Sequence, residues 1–140
     1  MNTQNYNNHA RMHPIYHYVL SLLVLGGLIA SIVYVFKAED KLLGVILIVM
    51  SLSLLVTFAL LRMYPLKAQD RAIRAEENLR YYVLTGKLLD GRLTAGQIVA
   101  LRFAPDEELP LLAEKAAAEN MKPKEIKEAI TNWKADYYRI

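Results

Sequence analysis

Two uncharged apolar runs, split by the short charged segment Lys37-Ala38-Glu39-Asp40-Lys41, constrain this chain more than any other feature. No Lys, Arg, Asp or Glu occurs from Met12 to Phe36, and none from Leu42 to Leu61. A helix rises 1.5 Å per residue, so about twenty residues cover roughly the 30 Å of a bilayer's hydrocarbon. Lipid offers the backbone no hydrogen-bond partner, which leaves the helix as the form such runs take when they span it. The expected fold class is therefore all-α: a transmembrane helical hairpin with spans over about 15–36 and 42–61, followed by a small cytosolic helical module over 62–140. Residues 1–14 form a polar segment of their own. The apolar stretch Tyr18–Phe36 is longer than a signal-peptide core, and no small-x-small cleavage site follows it, so a permanent span is expected.

Neither span carries an ionisable side chain in its interior, which argues against a proton relay or an ion pathway. Gly26/Ala30 and Gly27/Ser31 are small residues four apart in the first span, and Gly44, Ser51, Ser53 and Thr57 are possible counterparts in the second. So short a turn makes the spans antiparallel neighbours. Packing within the hairpin is the simplest use of the small face, and homodimerisation is the alternative. Basic residues lie at Arg11 and again at Arg62, Lys67, Arg71 and Arg74, against Lys37 and Lys41 in the turn. That bias places both termini in the cytoplasm of a multi-pass protein of the cell membrane.

The tail reads as capped helices. Tyr64-Pro65 is expected to break or kink the second span at the membrane surface. Beyond it Ala68, Ala72, Ala75, Leu79 and Tyr82 draw one apolar stripe, with Asp70/Arg74 and Glu76/Arg80 as ion pairs on the solvated face. Thr94-Ala-Gly-Gln97 fits a capping box. Asp106 is placed to cap the next helix, Glu107 and Glu108 complement its positive end, and Asn120 closes it. A last helix is expected from Lys122-Pro123 through Ile126, Ile130, Trp133 and Tyr137, with Trp133 in the core.

Candidate chemistry gathers in the polar segment. His9, His13 and His17 would share a face on one continuous helix and could then hold a metal or haem, although Pro14 opposes helical geometry at His13. Interfacial hydrogen bonding and protein contact are the other readings of these histidines. Asn5, Tyr6 and Arg11, with Asp70 and Arg74, are candidates for an interaction in which the polar segment folds back near Arg62–Arg74 and Asp70 meets His9 or His13. No cysteine is present, and no phosphate-binding loop, dinucleotide fingerprint, zinc-protease or nucleophile-elbow motif occurs. Neither a cofactor nor enzymatic activity is expected. Basic and acidic side chains nearly balance over 62–140, which speaks against a nucleic-acid partner.

The stretches Gln4-Asn-Tyr-x-Asn-His9-x-Arg11-x-His13-Pro14-x-Tyr16-His17, Ala68-Gln-Asp-Arg-Ala-Ile-Arg-Ala-Glu-Glu-Asn-Leu-Arg80, Leu101-Arg-Phe-Ala-Pro-Asp-Glu-Glu108 and Trp133-Lys-Ala-Asp136 resemble a family of small bacterial two-span membrane proteins known only as a domain of unknown function. The resemblance covers nearly the whole chain. It implies the two-span architecture and a bacterial cytoplasmic membrane, and assigns no activity. The leading expectation is a non-enzymatic scaffold in the lipid bilayer, whose module binds an unknown protein partner or self-associates. The alternative is a metal- or haem-binding membrane protein that uses the three histidines.

Overall fold

The computed structural model describes residues 4–9 and 12–137, and every regular element among them is helical. A π-helical stretch, Ile15–Leu20, leads into α1, Ser21–Lys37. Then come α2, Lys41–Thr85, and three short helices: α3, Ala95–Leu101; α4, Leu109–Ala118; and α5, Pro123–Ala129. The chain divides into two compact units, Arg11–Pro65 and Met1–Ala10 with Leu66–Ile140. Two helical segments, Ile15–Lys37 and Lys41–Thr85, are long and apolar enough to cross a membrane.

In the first unit the charged turn acts as a double cap. Ala38 leaves the helix with φ −81° and ψ 152°. The Lys41 ammonium donates to the Val35 and Ala38 carbonyls, at 2.8 Å each, which the end of α1 leaves open. Asp40 Oδ1 accepts from the Leu43 N–H at 3.1 Å and so caps α2. The less exposed positions Val24, Leu28, Ser31 and Val35 of α1, and Gly44, Ile48, Ser51, Leu55 and Phe58 of α2, recur at steps of four and three, the spacing of a helix–helix seam. Ser31 Oγ meets Ser51 Oγ at 2.9 Å. Tyr16 stacks on Phe58 at 4.4 Å between ring centroids and donates to its carbonyl at 2.6 Å. A Cβ on Gly44 would lie 2.5 Å from Val35 Cγ2, so glycine is what permits the helices to close there. The expected small face is thus only partly used. Nothing lies within 4 Å of a Cβ built on Gly26 or Gly27, and Ser53 and Thr57 are exposed.

Pro65 does not break the helix: α2 runs through it to Thr85. Proline removes one hydrogen bond of the ladder, and the strong helix formers on either side, Leu61, Arg62 and Met63 before it and Leu66, Lys67 and Ala68 after it, carry the helix on. The boundary between the two units falls at this residue.

In the second unit α3 is the central element, packed by α4 and α5. Phe103, Ile98, Leu101, Leu109 and Ile126 are the largest fully buried side chains. Thr94 and Gln97 form the expected capping box. Asn120, at φ +49°, closes α4 while Met121 N–H reaches back to the Ala116 carbonyl at 3.1 Å, a Schellman arrangement. Two expectations are corrected. The stripe Ala68, Ala72, Ala75, Leu79 and Tyr82 is exposed, and α2 buries Ile73, Glu77 and Tyr81 instead. The last helix stops at Ala129, because Glu108 takes the N–H groups of Thr131 and Asn132, at 3.0 Å each, and the Phe103 carbonyl takes that of Lys134 at 2.8 Å. Those N–H groups would otherwise have continued α5 to Tyr137.

Candidate functional site

Buried charge organises the module. Arg80 projects from α2 with its side chain 13% exposed, and all three guanidinium nitrogens are engaged. Nη1 donates to Glu77 Oε2 at 2.9 Å, Nε to Asp106 Oδ1 at 2.6 Å, and Nη2 to the Ala104 carbonyl at 2.7 Å. One side chain thereby fastens α2 to the segment between α3 and α4. The hydrogen bond from Arg80, and then its charge, hold the Asp106 carboxyl below its ordinary value. Two sequence expectations change here. Asp106 does not cap α4 but pairs with Arg80, and the helical partner of Arg80 is Glu77, three residues away, rather than Glu76. Only Glu77 lies on the face that α2 buries.

A second cation, the buried Arg102, sets its guanidinium 4.5 Å over the Phe103 ring and pairs through Nε with Asp136 Oδ2 at 3.0 Å. Asp136 in turn receives the polar segment. Its N–H donates to Gln4 Oε1 at 2.7 Å, and Gln4 Nε2 donates to its carbonyl at 3.3 Å, a side-chain amide imitating a strand pair. Asn5 folds residues 5–8 into a turn, its Oδ1 accepting from Asn7 N–H at 2.9 Å and its carbonyl from Asn8 N–H at 3.2 Å. Tyr6 donates to Glu128 Oε1 at 3.1 Å, and burial together with that carboxylate raises its phenol pKa above the ordinary value.

His9 completes the strap. Its Nδ1–H donates to the Tyr6 carbonyl at 2.6 Å, and Nε2 accepts from the Lys127 ammonium at 3.0 Å, an arrangement that requires the neutral Nδ1–H tautomer. The ring lies 5.6 Å from Trp133 and 5.8 Å from Phe103, while Trp133 packs on Phe103 at 4.7 Å and takes Tyr6 against its edge at 6.5 Å. Four aromatic rings and a lysine clasp the strap onto α5 and the segment after it. An open cleft of about 410 Å³ lies in the same unit, with Glu76, Glu77, Arg102, Lys134 and Asp136 among its walls. Among the described residues its lining includes no serine, threonine or histidine.

The sequence candidates fall as follows. Asn5 shapes the turn and Tyr6 contacts Glu128. Arg11 lies outside the described residues. Asp70 is half-buried and Arg74 exposed, and they form no ion pair with each other. Residues 4–9 of the polar segment dock on residues 103 and 127–136, and Asp136, which receives Gln4, lines one cleft with Gln69 and Ile73. His9, His13 and His17 do not share a helix face: residues 5–8 form a turn, His9 belongs to one unit, and His13 and His17 belong to the other. His17 Nδ1 is bonded to the His13 carbonyl at 3.0 Å, and both His9 ring nitrogens have partners. Among the described residues no group of three or more His, Asp or Glu side chains is placed to hold a metal. Gln4, Arg80, Arg102 and Phe103 were missed as candidates. The signal available for them was that each lies in a stretch carrying the family resemblance, and all four stretches contribute to the strap and the Arg80 junction.

These features define an all-helical protein with two helices able to cross a membrane and a helical module strapped by the polar residues that precede the first of them. Residues 1–140 match a family described as Family of unknown function (DUF6526), and the protein belongs to that family. No curated protein and no solved structure matches the chain.

Proposed function

We propose that the protein is a multi-pass membrane scaffold without enzymatic activity, with both termini in the cytoplasm and the strapped module offered there for protein contacts. One observation carries the membrane part. The hairpin places Ser31, Gly44 and Ser51 in its seam and turns large apolar side chains outward: Leu22 is 74% exposed, Phe36 81% and Leu42 72%. A water-soluble hairpin would bury such side chains, whereas lipid solvates them. Both seam hydroxyls have an acceptor, Ser31 at the Gly27 carbonyl and Ser51 at Ser31 Oγ, as a medium without water demands. The scaffold part rests on charged clusters spent on internal pairing, Arg80 with Glu77 and Asp106, and Arg102 with Asp136.

Reporter fusions at both ends of the chain and at Glu39 test this reading, combined with alkaline-carbonate washing of the membranes. The chain should resist carbonate and yield to detergent. Both ends should report cytoplasm, and Glu39 the opposite side. Release by carbonate, or a tail reporting the far side, would contradict it.

A further inference from the structure

α2 has two opposed faces within the module. Ile73, Glu77, Arg80 and Tyr81 look into the core and its polar junction. Roughly half a turn away, at 100° per residue, lie Ala68, Ala72, Ala75, Leu79 and Tyr82, all exposed. Leu79 is 64% exposed and Tyr82 52%. Their successive steps are four, three, four and three residues, the alternation of a two-stranded coiled-coil seam. A face that only met solvent would have no need of that register.

We infer that this face is a dimerisation seam and that its occupant is the same stripe of α2 in a second copy of the chain, running parallel. The parallel sense rests on the membrane reading above: two copies inserted with one orientation present α2 in one direction. The charges at the rims fit that pairing. Arg71 flanks the stripe on one side and Glu76 on the other, five residues apart. In a parallel pair the residue before one seam position meets the residue five further on in the other chain, so Arg71 faces Glu76 of the second copy, twice by symmetry. The next such pair joins Asn78 and Val83, which sets no like charges together. The three alanines permit helix axes to approach at the short end of the 8–10 Å range. Leu79 and Tyr82 supply the larger buried area.

Two heptads bury too little surface to hold a dimer in dilute solution. Confinement of both chains to one bilayer raises their effective concentration and makes so short a seam sufficient. No rearrangement is required, because the module occupies the other face of α2.

The chain lacks cysteine, so single cysteines report the seam directly. In native membranes under a mild oxidant, full-length Ala75→Cys should form disulfide-linked dimers roughly tenfold faster than Arg74→Cys, whose side chain is adjacent in sequence but turned off the seam. Arg71→Glu and Glu76→Arg, each added to Ala75→Cys, should slow crosslinking, and the two together should restore it. Equal rates at positions 74 and 75, or no dimer at 75, would overturn the seam wherever the chain fractionates. Failure of the double reversal to restore crosslinking would overturn the parallel register. Carbonate washing of the same samples reads the membrane proposal separately, since a chain lost from the membrane that still crosslinks at position 75 keeps the seam and removes only that reading.

Discussion

Replacing Arg80 by alanine is expected to destabilise the module by about 3–5 kcal/mol, because it leaves a buried carboxylate without its cation. Glu77 is 7% exposed and has Arg80 as its ion-pair partner. The loss would be a large fraction of the stability of a small domain. Urea unfolding of the full chain, followed by the fluorescence of Trp133, its only tryptophan, measures it. Arg80→Lys should fall between, since an ammonium keeps the charge but cannot reach Glu77, Asp106 and the Ala104 carbonyl together. Arg80→Ala combined with Glu77→Gln should recover part of the loss by removing the stranded charge. The acid limb offers a second reading of the same junction. Asp106 is depressed below 3.8 by Arg80, so its contribution is present above that unfolded value and is lost as pH falls through the lower folded one. The wild-type chain should therefore lose stability below about pH 4, and Arg80→Ala should flatten that limb. The Asp106 side chain is 58% exposed, so this share is small beside that of Glu77. A loss under about 1 kcal/mol in Arg80→Ala would show the junction to be dispensable.

Trp133→Ala should cost about 2–4 kcal/mol, below the range for a fully buried tryptophan, since the indole is only partly buried at the margin of the core. It also removes the platform on which His9 and Tyr6 rest. The strap should then open, and proteolysis near Asn7 should accelerate together with the fall in thermal midpoint followed by circular dichroism. Trp133→Phe keeps an aromatic surface against Phe103 and should lose less. Faster cleavage at Asn7 with an unchanged midpoint would mean that the indole serves the strap alone.

The two long apolar helices were legible in the sequence because each is an unbroken uncharged run, separated from the other by a short charged turn. Local caps were legible for a similar reason. Thr94 with Gln97, and Asn120, act on neighbours within one or two helical turns. What escaped depends on distant residues. Apolar periodicity assigned the wrong face of α2 to the core, because Glu77 reads as a surface residue until Arg80, Asp106 and Ala104 are brought around it. The end of α5 escaped because Glu108 and the Phe103 carbonyl, far back in the chain, take its N–H groups. The clasp between His9 and Lys127 joins residues 118 positions apart, and the helical spacing of the histidines pointed elsewhere.

Spin labels on the outer face of the hairpin test the central claim most directly. Single nitroxides at Leu22, Ile29 and Val49, with one at Leu111 as reference, would be read in the full chain reconstituted in phosphatidylcholine vesicles. These four side chains are all exposed, so none of the labels disturbs a packed interior. Lipid-facing positions collide with dissolved oxygen and are shielded from a water-soluble nickel chelate. Leu22, Ile29 and Val49 should show that pattern and Leu111 the reverse. Nickel accessibility at all three hairpin positions equal to that at Leu111 would contradict a membrane-embedded hairpin.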